Sequence, residues 1–225
     1  MNVKDLQIVL GVDPDGNFGS KSKKALFSQF ANPNAPKFAD SDIADAAHSL
    51  GVSEGHIRAS ILCESPRGSF DAQGKPVILF ERHKFAAATT PPNRFNLSNP
   101  DLSGGPYGPG GYGPLGKQWD KLAAACALDP EAAFEACSWG AFQVMGGNAK
   151  LLGYASAFDM ALTLVSGEKA HLETYVRFIK AFGLVERLRA CRAGDSDSCV
   201  PFVRRYNGPD YEKFDYHRKF AAAIA

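Results

Sequence analysis

Glu64 closes the apolar run Ile57-Arg58-Ala59-Ser60-Ile61-Leu62-Cys63-Glu64 and is followed at once by Ser65-Pro66-Arg67-Gly68. A carboxyl on the last turn of a buried helix is only partly solvated. Loss of water disfavours the anion, so the pKa rises and the group can hold a proton near neutral pH. Cleavage of a glycosidic bond requires such an acid. The competing reading is a surface carboxylate that merely ends an amphipathic helix. Glu81 is the second carboxylate to weigh, placed after the apolar run Val77-Ile78-Leu79-Phe80 and beside Arg82 and His83. Glycoside hydrolysis usually needs a partner carboxylate, ~5–5.5 Å from the acid in retaining enzymes and ~6.5–9.5 Å in inverting ones. Glu81 either faces Glu64 across a groove or pairs with Arg82 or Arg67 to hold a hairpin. Both readings stay open. Asp71 falls in a turn and is the weaker candidate.

Ser138-Trp139-Gly140-Ala141-Phe142-Gln143-Val144-Met145 carries residue types suited to neutral sugars. Trp139 offers a flat face for a pyranose ring, and Gln143, four residues on, would share its side of a helical turn. Amides hydrogen-bond hydroxyl and N-acetyl groups without adding charge. The alternative for Trp139 is a core tryptophan. Gln143 between Phe142 and Val144 is harder to set aside, because a buried amide needs partners. Tyr206-Asn207-Gly208-Pro209 reads equally as recognition surface and as a plain turn.

The elements that must position these residues are mostly helices. Residues 1–30 form a unit of their own, with a short helix around Leu6, the turn Asp15-Gly16-Asn17-Phe18-Gly19, and a second helix capped by Ser20. Ala31 to Lys37, polar and proline-bearing, reads as a linker, which puts a boundary near residue 38. Asp40 or Ser41 caps a helix ended by Gly51, and Ser53 caps the helix that reaches Glu64. Pro76 to Phe80 is the one strand, after the turn Gln73-Gly74-Lys75. Ser103 to Gly116, rich in glycine and proline and carrying Tyr107 and Tyr112, is an irregular loop. Helices return at about 117–127, 130–137, 147–153, 156–182, 184–192, 197–206 and 210–223, with Gly167 and Gly183 interrupting the longest stretch. This layout predicts a mainly α, α+β domain with a small β-hairpin beside its first two helices.

Bulk composition narrows the function classes. The 225 residues suit one good-sized domain with a small appendage, and 45% hydrophobic with 22% charged is ordinary globular composition. A net charge of +1 supplies no field for nucleic acid or anionic lipid. The start, Met1-Asn2-Val3-Lys4-Asp5-Leu6-Gln7, does not read as an export signal, and no apolar run approaches the ~20 residues of a membrane span. Synthesis in a cytoplasm without stable membrane association is expected. The five cysteines form no C-x-x-C and the five histidines no H-E-x-x-H, so neither a metal nor an organic cofactor is expected. Cys191 and Cys199 bracket a turn and could pair after export. Ser65 and Ser138 lack the Gly-x-Ser-x-Gly setting of a serine nucleophile.

Four segments in order, Glu64-Ser65-Pro66-Arg67-Gly68-Ser69-Phe70, Gly74 to His83, Ser138 to Gly146 and Arg205-Tyr206-Asn207-Gly208-Pro209, resemble the N-acetylmuramidase family of phage endolysins. The resemblance covers residues 39–225 and implies a lysozyme-like fold acting on peptidoglycan glycan strands between N-acetylmuramic acid and N-acetylglucosamine. It implies Glu64 as the catalytic acid, with Ser138, Trp139, Gln143 and Met145 lining the sugar groove and Tyr206 and Asn207 closing it. It also implies a monomer made in the host bacterium and let out to the periplasm through a holin-type lesion. A lytic transglycosylase, giving 1,6-anhydro products, and a non-catalytic wall-binding protein are the alternatives. Residues 1–38 resemble half of a three-helix peptidoglycan-binding module through Leu6, Gln7, Leu10-Gly11, Asp15, Gly16, Phe18, Gly19, Ala25-Leu26 and Phe30, which makes Leu6, Gln7, Asp15 and Phe18 candidate wall-binding residues.

Overall fold

The structure is a computed structural model that describes residues 1–65, 68–106 and 112–224. Pro66 and Arg67 of the first segment, and Tyr107 in the glycine-rich loop, lie outside the described residues.

The described chain runs α1 (Val3–Val9), α2 (Ser20–Gln29), α3 (Asp40–Leu50), α4 (Glu54–Glu64), β1 (Ile78–Phe80) and α5 (Arg82–Ala88). It continues with α6 (Gln118–Cys126), α7 (Pro130–Glu135), β2 (Cys137–Trp139), β3 (Val144–Met145), α8 (Ala157–Leu164) and α9 (Glu168–Ala181). Last come α10 (Val185–Arg189), α11 (Ser196–Asn207) and α12 (Tyr216–Ala223). The mainly α architecture with a small β element is therefore as the sequence predicts. Cap chemistry explains several ends. Asp129 accepts the Ala132 amide ahead of Pro130, Asp195 accepts the Ser198 amide, and Gly51 leaves α3 at φ 62°. Ser20 is the first helical residue rather than a cap, since Gly19 takes the cap position.

The sheet departs from the expected hairpin. β1 pairs antiparallel with β2, which lies 57 residues further on from Phe80 to Cys137, and β2 pairs with β3. The segments 130–137 and 147–153 are not continuous helices: α7 stops at Glu135 so that Cys137 can join the sheet, and only a 3-10 turn follows at Gly146–Asn148. The register places Leu79, Ser138 and Met145 side by side across the sheet, with Ile78, Trp139 and Val144 in the neighbouring row. Side chains alternate along a strand, so these two rows face opposite ways.

The apolar row points into the core. Trp139 is 1% exposed, stacks on Phe134 at 5.6 Å and 2°, and donates its indole N–H to the Phe134 carbonyl. Phe30, from α2's C-terminal cap, sits in the same cluster at 5.3 Å from Trp119, 5.7 Å from Phe134 and 5.6 Å from Phe158. Leu6 and Leu26 join it, so the N-terminal helices share one core with the rest. The segment read as a linker is a pinned strap. Asn32 donates to the Val165 carbonyl, Glu168 accepts the Phe38 amide and Lys37, and the Glu168 amide reaches the Pro36 carbonyl. All five cysteines are free thiols; the buried Cys191 and Cys199 direct theirs to the Arg187 and Asp195 carbonyls.

Candidate active site

Glu64, at the C-terminal end of α4, opens onto a cavity of about 540 Å³ lined also by Leu79, Glu81, Ser138, Gln143, Tyr206 and Asn207. The end of α4, the Leu79–Ser138–Met145 row of the sheet with Glu81 just beyond β1, the end of α11 and Tyr216 of α12 meet there. Burial raises the Glu64 pKa from 4.5 to about 7, against the opposing pull of Asn207. The helix C-terminus adds partial negative charge, which also favours the protonated form. Asn207, the last residue of α11, directs its amide at both carboxyl oxygens, at 2.9 and 3.0 Å. Gly208, at φ 87°, then turns the chain away. The side-chain amide oxygen of Asn207 is buried and has no hydrogen-bond partner among the described residues.

Glu81 caps α5 and lines the same cavity as Glu64. The His83 Nδ1 lies 3.4 Å from one of the Glu81 carboxyl oxygens, which makes no hydrogen bond among the described residues. Arg82 turns away and donates to the Ser103 carbonyl at 3.0 Å, so it is not the anchor for Glu81. Arg67 lies outside the described residues. Asp71 belongs to a different region, where it accepts the Gln73 and Lys75 amides and pairs with the Lys75 ammonium at 3.0 Å.

The motif residues divide by strand parity. Ser138 and Met145 reach the groove, whereas Trp139 does not: its strand neighbour takes the groove face, leaving the ring in the core. The helical turn expected to align Trp139 with Gln143 is instead the tight β2–β3 turn, with Gln143 at φ 48°. The amide of Gln143 is used internally. It accepts the Ser138 hydroxyl at 2.8 Å and donates to the Gly140 carbonyl at 2.8 Å. Tyr206 lines the groove while its hydroxyl donates to the Phe142 carbonyl at 3.0 Å.

His171, set aside in the sequence as one of five scattered histidines, supports this turn from beneath. Its Nδ1 accepts the Ala141 amide at 2.9 Å, which leaves Nε2–H to donate to the Leu164 carbonyl at 2.9 Å. Burial lowers its pKa to about 4, so the ring is neutral. A β-carbon on Gly140, at φ 69°, would collide with this ring. Ser65 ties the end of α4 to the same turn by donating to the Ala141 carbonyl at 2.9 Å. Tyr216 of α12 also lines the groove, and no motif pointed to it.

The N-terminal candidates lie elsewhere. Leu6 is fully buried, and Gln7 is 1% exposed, bonded to Asp15, Ser22 and the backbone of Gly16 and Asn17. Those two residues build the unit's interior instead of a binding surface. Asp15 stays at the surface, its pKa lowered by the Gln7 amide, and Phe18 is half-buried.

A family model described as Muramidase, N-acetylmuramidase, matches residues 54–225. A crystal structure of the Burkholderia AP3 phage endolysin is similar to this chain, with a TM-score of 0.75 and 29% identity. The likeness covers 99% of this chain and 93% of that one. No match is found among curated protein sequences. With the family model spanning most of the chain and the whole fold shared with an endolysin, the chain belongs to the N-acetylmuramidase family and is a glycosidase that hydrolyses peptidoglycan.

Proposed function

We propose that Glu64 is the general acid that protonates the leaving oxygen when the β-1,4 bond between N-acetylmuramic acid and N-acetylglucosamine is cut. The observation that carries this is a carboxyl with a pKa of about 7 opening onto a groove that holds a second carboxylate, Glu81. As the bond breaks through an oxocarbenium-like state, positive charge develops at the sugar carbon. A carboxylate on the other wall can stabilise that charge or activate water. Glu81, with a carboxyl oxygen that makes no hydrogen bond among the described residues, is suited to either role. Ser138, Met145 and Tyr206 line the path of the glycan, and Asn207 orients Glu64. No metal or organic cofactor is required by this scheme. The test is mass spectrometry of muropeptides released by wild type, Glu64→Gln and Glu81→Gln. General acid catalysis contributes ~10²–10⁴-fold, so Glu64→Gln is expected to lose at least that order with an unchanged melting temperature. Wild-type products are expected to end in reducing N-acetylmuramic acid. Anhydro-sugar products, with Glu81→Gln nearly as fast as wild type, would instead make it a transglycosylase.

In the same reading the protein is a monomeric endolysin released to the wall through a holin-type lesion. No helix among the described residues is long and apolar enough to cross a membrane. Residues 1–38 contribute wall contact from the outer face of α1, where Ile8 and Val9 are 63% and 53% exposed. Ile8→Glu with Val9→Glu should lower the fraction sedimenting with purified sacculi, and unchanged sedimentation would remove that role.

A further inference from the structure

A second cavity, of about 710 Å³, adjoins the groove and shares Phe142, Gln143, Met145 and Tyr206 with it. The linings of the two differ in charge. Lys84 from α5 and Arg205 from α11 stand at the second cavity, and neither makes an ion pair among the described residues. The Arg205 guanidinium lies 5.7 Å from the centroid of the Phe182 ring, which holds it over the cavity wall. Glu135 lines the same space, also without an ion pair, and partial burial beside Glu131 raises its pKa.

The sugar rings of the glycan are neutral, and where a stem peptide is attached the muramic acid carboxyl is taken up in an amide, so the charges of such a strand lie on the peptide. The peptide on that amide does carry charge, as carboxylates along and at the end of the chain and as the side-chain amine of its diamino residue. We propose that the second cavity binds the stem peptide of the muramic acid next to the scissile bond, with Lys84 and Arg205 receiving its carboxylates and Glu135 its ammonium. This rests on the glycosidase reading of the groove and names the form of its substrate: peptide-bearing glycan rather than denuded strands. Arg205 adjoins Tyr206 and Asn207 in sequence, so one helix end would report peptide occupancy to the residue that orients Glu64.

The experiment compares kcat/KM on glycan strands that carry stem peptides with kcat/KM on strands stripped by an N-acetylmuramoyl-L-alanine amidase, whose freed lactyl carboxyls are then capped as methylamides. The wild type should prefer peptide-bearing strands by about tenfold, the effect of one or two charge-assisted hydrogen bonds at partly solvated positions. Added salt should erode the preference, because these charges are screened. Lys84→Met with Arg205→Met should bring the ratio close to one, and Arg205→Lys should keep most of it. A wild-type ratio near one, or a ratio that survives the double substitution in a protein with normal melting, overturns the proposal. Glu64→Gln on denuded strands is the separate control. If it still cleaves them, the catalytic assignment fails, whatever the ratio shows.

Discussion

At the scale of single residues, the site is a balance of two opposing influences on Glu64. Burial holds the proton on, and the Asn207 amide, bonded to both oxygens, favours the anion. If Glu64 is the proposed general acid it must be protonated to act, so kcat/KM should fall as pH rises through about 7. Replacing Asn207 with Ala removes the donor that favours the anion, and the falling limb should move to higher pH. A pH–rate profile checks this, and an unmoved limb would detach Asn207 from the tuning of Glu64. The same shift has a consequence for stability. The folded pKa lies above the ordinary 4.5, so the contribution of Glu64 is complete below that value and is lost as pH rises through about 7.

At the scale of elements, the β2–β3 turn forms part of the groove wall and is held from outside the sheet. His171 on α9 accepts the Ala141 amide, Ser65 after α4 donates to the Ala141 carbonyl, and Tyr206 on α11 donates to the Phe142 carbonyl. Three helices thus register the turn against the end of α4 that carries Glu64. Substituting Leu for His171 leaves the Ala141 N–H and the Leu164 carbonyl buried without partners, at a cost of about 1–3 kcal/mol for each. Urea unfolding at neutral pH should show that loss, together with reduced turnover. The folded pKa of His171 is depressed from 6.5 to about 4, so its contribution is present above 6.5 and disappears as pH falls through about 4. The gap between wild type and His171→Leu should therefore narrow in acid, and a gap independent of pH would mean the ring is not held neutral.

At the scale of the whole molecule, the N-terminal helices are part of the catalytic body. Phe30 sits among Trp119, Phe134, Trp139 and Phe158, and the strap from Asn32 to Phe38 is bonded to the region around Gly167. Removing such a ring leaves a cavity that rigid aromatic neighbours cannot fill. Phe30→Ala should cost about 3–5 kcal/mol and lower the melting temperature by roughly 10 °C. Thermal unfolding followed by tryptophan fluorescence would report it directly, since Trp119 and Trp139 flank the site. A variant that melts like wild type would show residues 1–38 to be a dispensable attachment.

Local pattern sufficed for the helices and for the partly desolvated placement of Glu64. Apolar spacing, caps and breakers are read within a few residues, so α3, α4, α6 and α11 and the break at Gly167 were legible, as was a carboxyl closing a buried helix. The Ser138–Met145 and Tyr206–Asn207 segments were likewise legible as motifs. What they do was not, because that depends on partners distant along the chain. Strand parity could be assigned only once β2 had found β1, and it sends Ser138 to the groove and Trp139 to the core. The same holds for Gln143, whose amide is satisfied by backbone brought close by the turn, and for His171, which lies 30 residues beyond the Ala141 amide it accepts. The linker-like composition of residues 31–37 reported flexibility in isolation, and contacts with Val165 and Glu168 removed it. Sequence determined which residues could do chemistry; tertiary structure decided which of them line the groove, since a side chain's direction is set by the pairing of segments far apart in the chain.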